Sequence, residues 1–128
     1  MLGKIVLWVA AVSFIGYGLA CLFSPALPAE YAGLGMTNGD AYAEIGAMYG
    51  GLQTGFGLFC LLAAIRPAFY RAGLTLLVLS IGSLAFGRLY STLTASDPVG
   101  GYTYGALAFE FTIAVLAGVA LRLKPESP

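Results

Sequence analysis

Glu44 to Ile65 reads EIGAMYGGLQTGFGLFCLLAAI, an acid followed by an unbroken uncharged run. At about 1.5 Å of rise per residue this run crosses a hydrocarbon core of roughly 30 Å as a helix. Its apolar residues come in blocks without strict alternation, which excludes the dyad pattern of a membrane barrel strand. Because a bilayer offers the backbone no hydrogen-bond partners, a helix is the form such a run takes there.

The same reading extends outward to three further blocks, giving expected spans of about 5–23, 43–65, 72–93 and 102–121. The composition agrees: of 128 residues, 59% are apolar and 9% charged, and the mean hydropathy is +0.88. Soluble domains carry about a quarter of charged residues. The expectation is an all-α, four-transmembrane-helix bundle forming one domain over residues 1–128.

Between the spans lie residues that break helices. Pro25, Pro28, Gly33, Gly35, Asn38 and Gly39 make the first connection read as a loop. Arg66 and Pro67 end the second helix, and Ser96, Asp97, Pro98, Gly100 and Gly101 form the third connection. The apolar stretch after Lys4 is longer than the roughly 7 to 15 residues of a signal-peptide core, so the first helix is expected to be retained.

Charge sets the orientation. Lys4, Arg66, Arg71, Arg122 and Lys124 flank one set of helix ends, while the first and third connections carry Glu30, Asp40 and Asp97. This positive-inside pattern predicts an even number of crossings with both termini cytoplasmic. Trp8 then falls at the inner interface, and Tyr31, Tyr42, Tyr90, Tyr102 and Tyr104 at the outer one.

Several chemistries are excluded by what the chain lacks. It contains no histidine, the commonest metal ligand and general base, so neither a metal site nor a Ser-His or Cys-His nucleophile can be assembled, and no cofactor is expected. The net charge is zero and no basic stripe exists, which excludes nucleic acid. Cys21 and Cys60 fall near opposite ends of their helices and read as small apolar fillers.

Small residues give the expected packing. On a regular helix Gly46, Gly50, Gln53 and Gly57 share one face, and Glu44, Met48, Gly51 and Gly55 another. Small-xxx-small spacing lets helices approach closely, so the second helix is expected to pack on both sides. Matching stripes are Val9, Ser13, Gly16 and Ala20 in the first helix, Ser80, Ser83 and Gly87 in the third, and Thr103, Ala106, Glu110, Ala114 and Ala117 in the fourth.

Ionisable residues inside apolar spans are costly, by about 2.5 to 3.5 kcal/mol each on insertion scales, and they mark pairs or functional sites. Glu44, Arg88 and Glu110 are the three here. Counting along the helices puts Arg88 roughly 7 to 8 Å and Glu110 about 12 Å from the outer helix ends. An arginine fork can bond two carboxylates, so the acids are expected to bracket the guanidinium. Such a cluster serves either as a structural lock or as a site for the polar head of an apolar ligand, with Gln53 and Tyr49 deeper.

The run EIGAMYGGLQTGFGLFCLLAAIRPAFYRAGL, with FGRLYS in the third helix and ALAFEF in the fourth, resembles a family of small bacterial four-helix membrane proteins of unknown function. The resemblance covers about Glu44 to Gly118 and maps its motif onto Glu44, Tyr49 to Leu52, Arg88 and Glu110. In general appearance the chain is also similar to DoxX-like membrane proteins. Both resemblances imply a four-helix fold and neither implies a reaction. Three functions remain open: an accessory subunit of a larger membrane complex or a homo-oligomer, a binder of a lipid or quinone-like apolar molecule, and an intramembrane isomerase using Glu110 or Glu44.

Overall fold

The computed structural model describes residues 1–123; Lys124, one of the basic residues used for orientation, lies outside them. The described residues are all-α. Helix α1 spans Leu2–Phe23 and α2 Ala26–Ala32. Helices α3, α4 and α5 span Gly39–Ile65, Pro67–Thr94 and Gly101–Arg122. The four long helices are each long and apolar enough to cross a membrane, as a multi-pass membrane protein requires.

Three boundaries differ from the sequence reading, each for a local reason. Helix α3 begins at Gly39 because the Asn38 side chain accepts a hydrogen bond from Ala41 N at 2.9 Å, capping the first turn. Helix α4 begins at Pro67, whose ring is preorganised for a first helical position, while Arg66 before it is extended. The first connection is not a continuous loop, because Ala26–Ala32 folds as α2. Pro28 is tolerated in that first turn, where an amide would have no intrahelical partner. Gly33, at φ 72°, ends the helix, its N–H bonding Glu30 O while Leu34 N–H bonds Ala29 O at 2.8 Å. Asn38→Ala is expected to cost about 1 kcal/mol and to raise amide exchange across Gly39–Ile45, measured by hydrogen exchange.

The chain divides into two compact units. The first is Trp8–Leu61, holding most of α1, all of α2 and α3 up to its last turn. Here α1 and α3 touch backbone to backbone. A methyl group on Gly50 would lie 2.6 Å from Leu22 Cα, one on Gly57 2.6 Å from Ile15 N, and one on Gly18 2.6 Å from Thr54 N. Only glycine permits that approach. Phe14 and Phe56 meet edge to face at 6.5 Å across the same seam.

The faces of this pair depart from the small-residue stripes read in the sequence. On α1, Gly16 has nothing within 4 Å and Val9 and Ala20 are exposed, while Ala10, Ala11, Phe14, Gly18 and Cys21 are buried. On α3 the segment Gly46–Gly51 is π-helical, Leu52 N–H reaching Ala47 O five residues back. One such turn acts as a one-residue insertion and shifts the register. Thr54 rather than Gln53 therefore meets Gly18, and the Thr54 hydroxyl donates to Gly50 O at 2.7 Å. Gly46 and Gly50 are buried with Gly57, but Gly51 and Gly55 are exposed with nothing within 4 Å. The second small face is thus open.

The other unit joins Met1–Leu7 to the described residues from Leu62 on. Leu74, Leu77, Ile81 and Ala85 form the buried face of α4, and Ile113, Ala117 and Ala120 that of α5. The expected stripe of Ser80, Ser83 and Gly87 is not that face: Ser83 and Gly87 are exposed. Close packing rather than smallness selects the seam, since bulky side chains at Leu74, Leu77 and Ile81 exclude more lipid. Helix α4 has its own π-helical turn at Leu77–Ile81, where Gly82 N–H reaches Leu77 O. Cross-seam neighbours follow an antiparallel register, Gly82 with Ala114 and Val78 with Gly118, each at 3.8 Å from the added methyl.

Candidate functional site: an ion pair between α4 and α5

The register that seats Gly82 against Ala114 brings position 88 opposite position 110 one and a half turns further along. Arg88 continues the buried face of α4 (Leu74, Leu77, Ile81, Ala85), and Glu110 continues that of α5 (Ile113, Ala117). Neither helix has to turn a lipid-facing surface inward to form the pair.

The contact is side-on and bidentate. Arg88 Nε donates to Glu110 Oε1 at 2.8 Å, and Arg88 Nη2 donates to Glu110 Oε2 at 2.9 Å. Both carboxylate oxygens are therefore engaged by one guanidinium fork, the strongest geometry available to an arginine and an acid. The Thr92 hydroxyl donates to Arg88 O at 2.8 Å, and the Thr112 hydroxyl to Ala108 O at 2.6 Å, so the neighbouring threonines satisfy themselves within their own helices. No buried side-chain nitrogen or oxygen among the described residues lacks a partner.

The two partners are unequally covered. The Glu110 side chain is 7% exposed and that of Arg88 24%. The anion is sealed in protein while the cation reaches the surface of the unit. Arg88 lies six residues before the end of α4 at Thr94 and Glu110 nine after the start of α5 at Gly101. At about 1.5 Å per residue both are about 9 to 14 Å inside their helices. Beside them Phe86 and Phe111 pack edge to face, centroids 5.1 Å apart and planes at 86°. Nothing in the reading of single helices singled out that pair; the signal was the antiparallel register that Arg88 and Glu110 themselves imply.

The remaining sequence candidates lie in the Trp8–Leu61 unit. Glu44 is exposed in the first segment of α3, Tyr49 is half-buried within the π-helical turn, and Gln53 is half-buried one turn on. Among the glycines, Gly46, Gly50 and Gly57 serve the α1 seam or its margin, with Pro25 Cγ 3.5 Å from a methyl on Gly46. Thr54 and Gly18, not singled out in the sequence, complete that seam.

The family described as "Domain of unknown function (DUF4345)" matches residues 2–121. No curated protein and no solved structure matches the chain.

Proposed function

The chain belongs to the DUF4345 family, a domain of unknown function, and we propose that it acts by binding, taking an apolar molecule whose uncharged polar head meets Arg88. The carrying observation is the unequal cover of the ion pair, 24% for Arg88 against 7% for Glu110. Within a membrane this pair is neutral overall, and its exposed edge is a guanidinium. An anionic head there would leave a net negative charge in low dielectric, which is expensive, whereas a carbonyl or quinone-type oxygen accepts a hydrogen bond at no such cost. Phe86, exposed beside it, offers a ring face to an apolar body.

In this reading the protein sits in a bacterial inner membrane with both termini cytoplasmic, supported by Lys4, Arg66, Arg71 and Arg122 against Glu30, Asp40 and Asp97 in the opposite connections. Catalysis by Glu110 is disfavoured because both its oxygens are held by Arg88. A second reading, as an accessory subunit or homo-oligomer, rests on the open face of α3, where Gly51 and Gly55 have nothing within 4 Å and Leu52 is exposed.

Native mass spectrometry of gently extracted protein tests both. A small apolar mass that survives removal of bulk lipid, and that is lost from an Arg88→Met/Glu110→Leu double variant that still folds, is the expected result. Equal retention by the double variant overturns the binding reading, and a stoichiometric protein partner in its place supports the accessory one.

A further inference from the structure

The unit built from Met1–Leu7 and the residues from Leu62 on gathers its cations at one end. The Tyr70 ring rests on Gly3, beside Lys4, so the first turns of α1 and α4 meet there. Arg71 Nη1 donates to Leu121 O at 3.2 Å, which ties the same turn of α4 to the last turn of α5, beside Arg122. Arg66 precedes Pro67 at the head of α4. These two contacts bring Lys4, Arg66, Arg71 and Arg122 from three helix ends to one end of the unit, and all four are exposed. The acids of this unit among the described residues are Asp97, in the opposite connection, and Glu110, paired to Arg88.

Four cations with no acid beside them among the described residues are an unbalanced charge. Arg71 spends one donor on the carbonyl end of α5, where a cation also favours the helix dipole. Lys4, Arg66 and Arg122 have no ion pair among the described residues. Around them the surface is apolar: Ile5 is 54% and Ile65 56% exposed. Cationic heads above an apolar flank match an anionic head above acyl chains, and guanidinium forks bond phosphate oxygens bidentately.

We infer that this end of the unit, formed by Lys4, Arg66, Arg71 and Arg122, is a binding site for anionic phospholipid, the phosphate held by the arginines and the acyl chains lying along Ile5 and Ile65. The site is separate from the Arg88–Glu110 pair, which lies at the far end of α4, and takes a charged head where that pair takes an uncharged one.

The test is native mass spectrometry of the full chain in detergent with equimolar phosphatidylglycerol and phosphatidylcholine. Wild-type protein is expected to retain phosphatidylglycerol preferentially. Arg66→Gln/Arg122→Gln is expected to lose that preference by about 25-fold, about fivefold for each charge removed near the surface, with phosphatidylcholine retention unchanged. An Arg66→Lys/Arg122→Lys variant keeps the charge and is expected to keep most of the preference, which separates lost charge from lost folding. Equal retention of both lipids by the wild type overturns the inference, as does an undiminished preference in the glutamine variant. Displacement of the lipid by millimolar glycerol phosphate overturns the lipid assignment, since it would show that the acyl chains contribute nothing.

Discussion

Arg88→Ala is expected to destabilise the protein by about 3 to 5 kcal/mol, the usual cost of removing one member of a buried ion pair. The loss comes less from the attraction itself than from what is left behind. Glu110, 7% exposed, would keep its carboxylate in a protein-sealed, lipid-surrounded place with both oxygens stripped of donors. Glu110→Ala is expected to cost less than Arg88→Ala, because Arg88, 24% exposed, can extend its long side chain toward the interface. Thermal unfolding in detergent micelles, followed by circular dichroism, measures the order. Arg88→Met/Glu110→Leu is expected to recover most of the loss, since a buried pair replaced by apolar side chains of similar volume is often neutral or better. A double variant as unstable as Arg88→Ala would show that the pair is not an isolated unit.

Gly50→Leu is expected to abolish accumulation in the membrane, and Gly50→Ala to cost about 3 kcal/mol, the upper end for overpacking. The new Cβ would lie 2.6 Å from Leu22 Cα and 2.7 Å from Leu22 N. Those are backbone atoms and cannot swing aside, so α1 and α3 must separate and give up the Gly18 and Gly57 contacts with them. Gly51→Ala is the matched control one residue away. Its methyl meets nothing within 4 Å, and the change should be neutral or stabilising by up to about 1 kcal/mol, as alanine is the better helix former. Membrane-fraction yield and melting temperature of the two alanine variants decide it; similar values for both would contradict the close seam.

The spans were legible because bilayer thickness leaves few alternatives for a run such as Glu44 to Ile65. Arg88 and Glu110 were legible because charge inside such runs is rare enough to point at itself. Glu44 satisfied the same criterion, yet it lies exposed in the Trp8–Leu61 unit, since a residue at a helix mouth reaches water without a partner. What the sequence concealed was rotation. Helix α1 has small residues on two faces, and only its partner decides that Gly18 rather than Gly16 is the one covered. On α3 a wheel of regular pitch places Gln53 on the seam, but the π-helical turn at Gly46–Gly51 hands that position to Thr54. No residue in the run announces such a turn.

Helix α1 is continuous from Leu2 to Phe23, yet residues 2–7 belong to one unit and the rest to the other. During synthesis, then, the two parts of this helix find their neighbours at different times. From Trp8 onward α1 can settle against α3 once the chain has been made as far as Leu61. Residues 2–7 must wait for Tyr70, which covers Gly3, and for Gly73, which meets Leu7 Cδ2. Residues 2–7 are made before the rest of α1 yet packed after it, so a bulky side chain at Gly3, where Tyr70 rests, would interfere with this later step of assembly and leave the α1–α3 contacts intact.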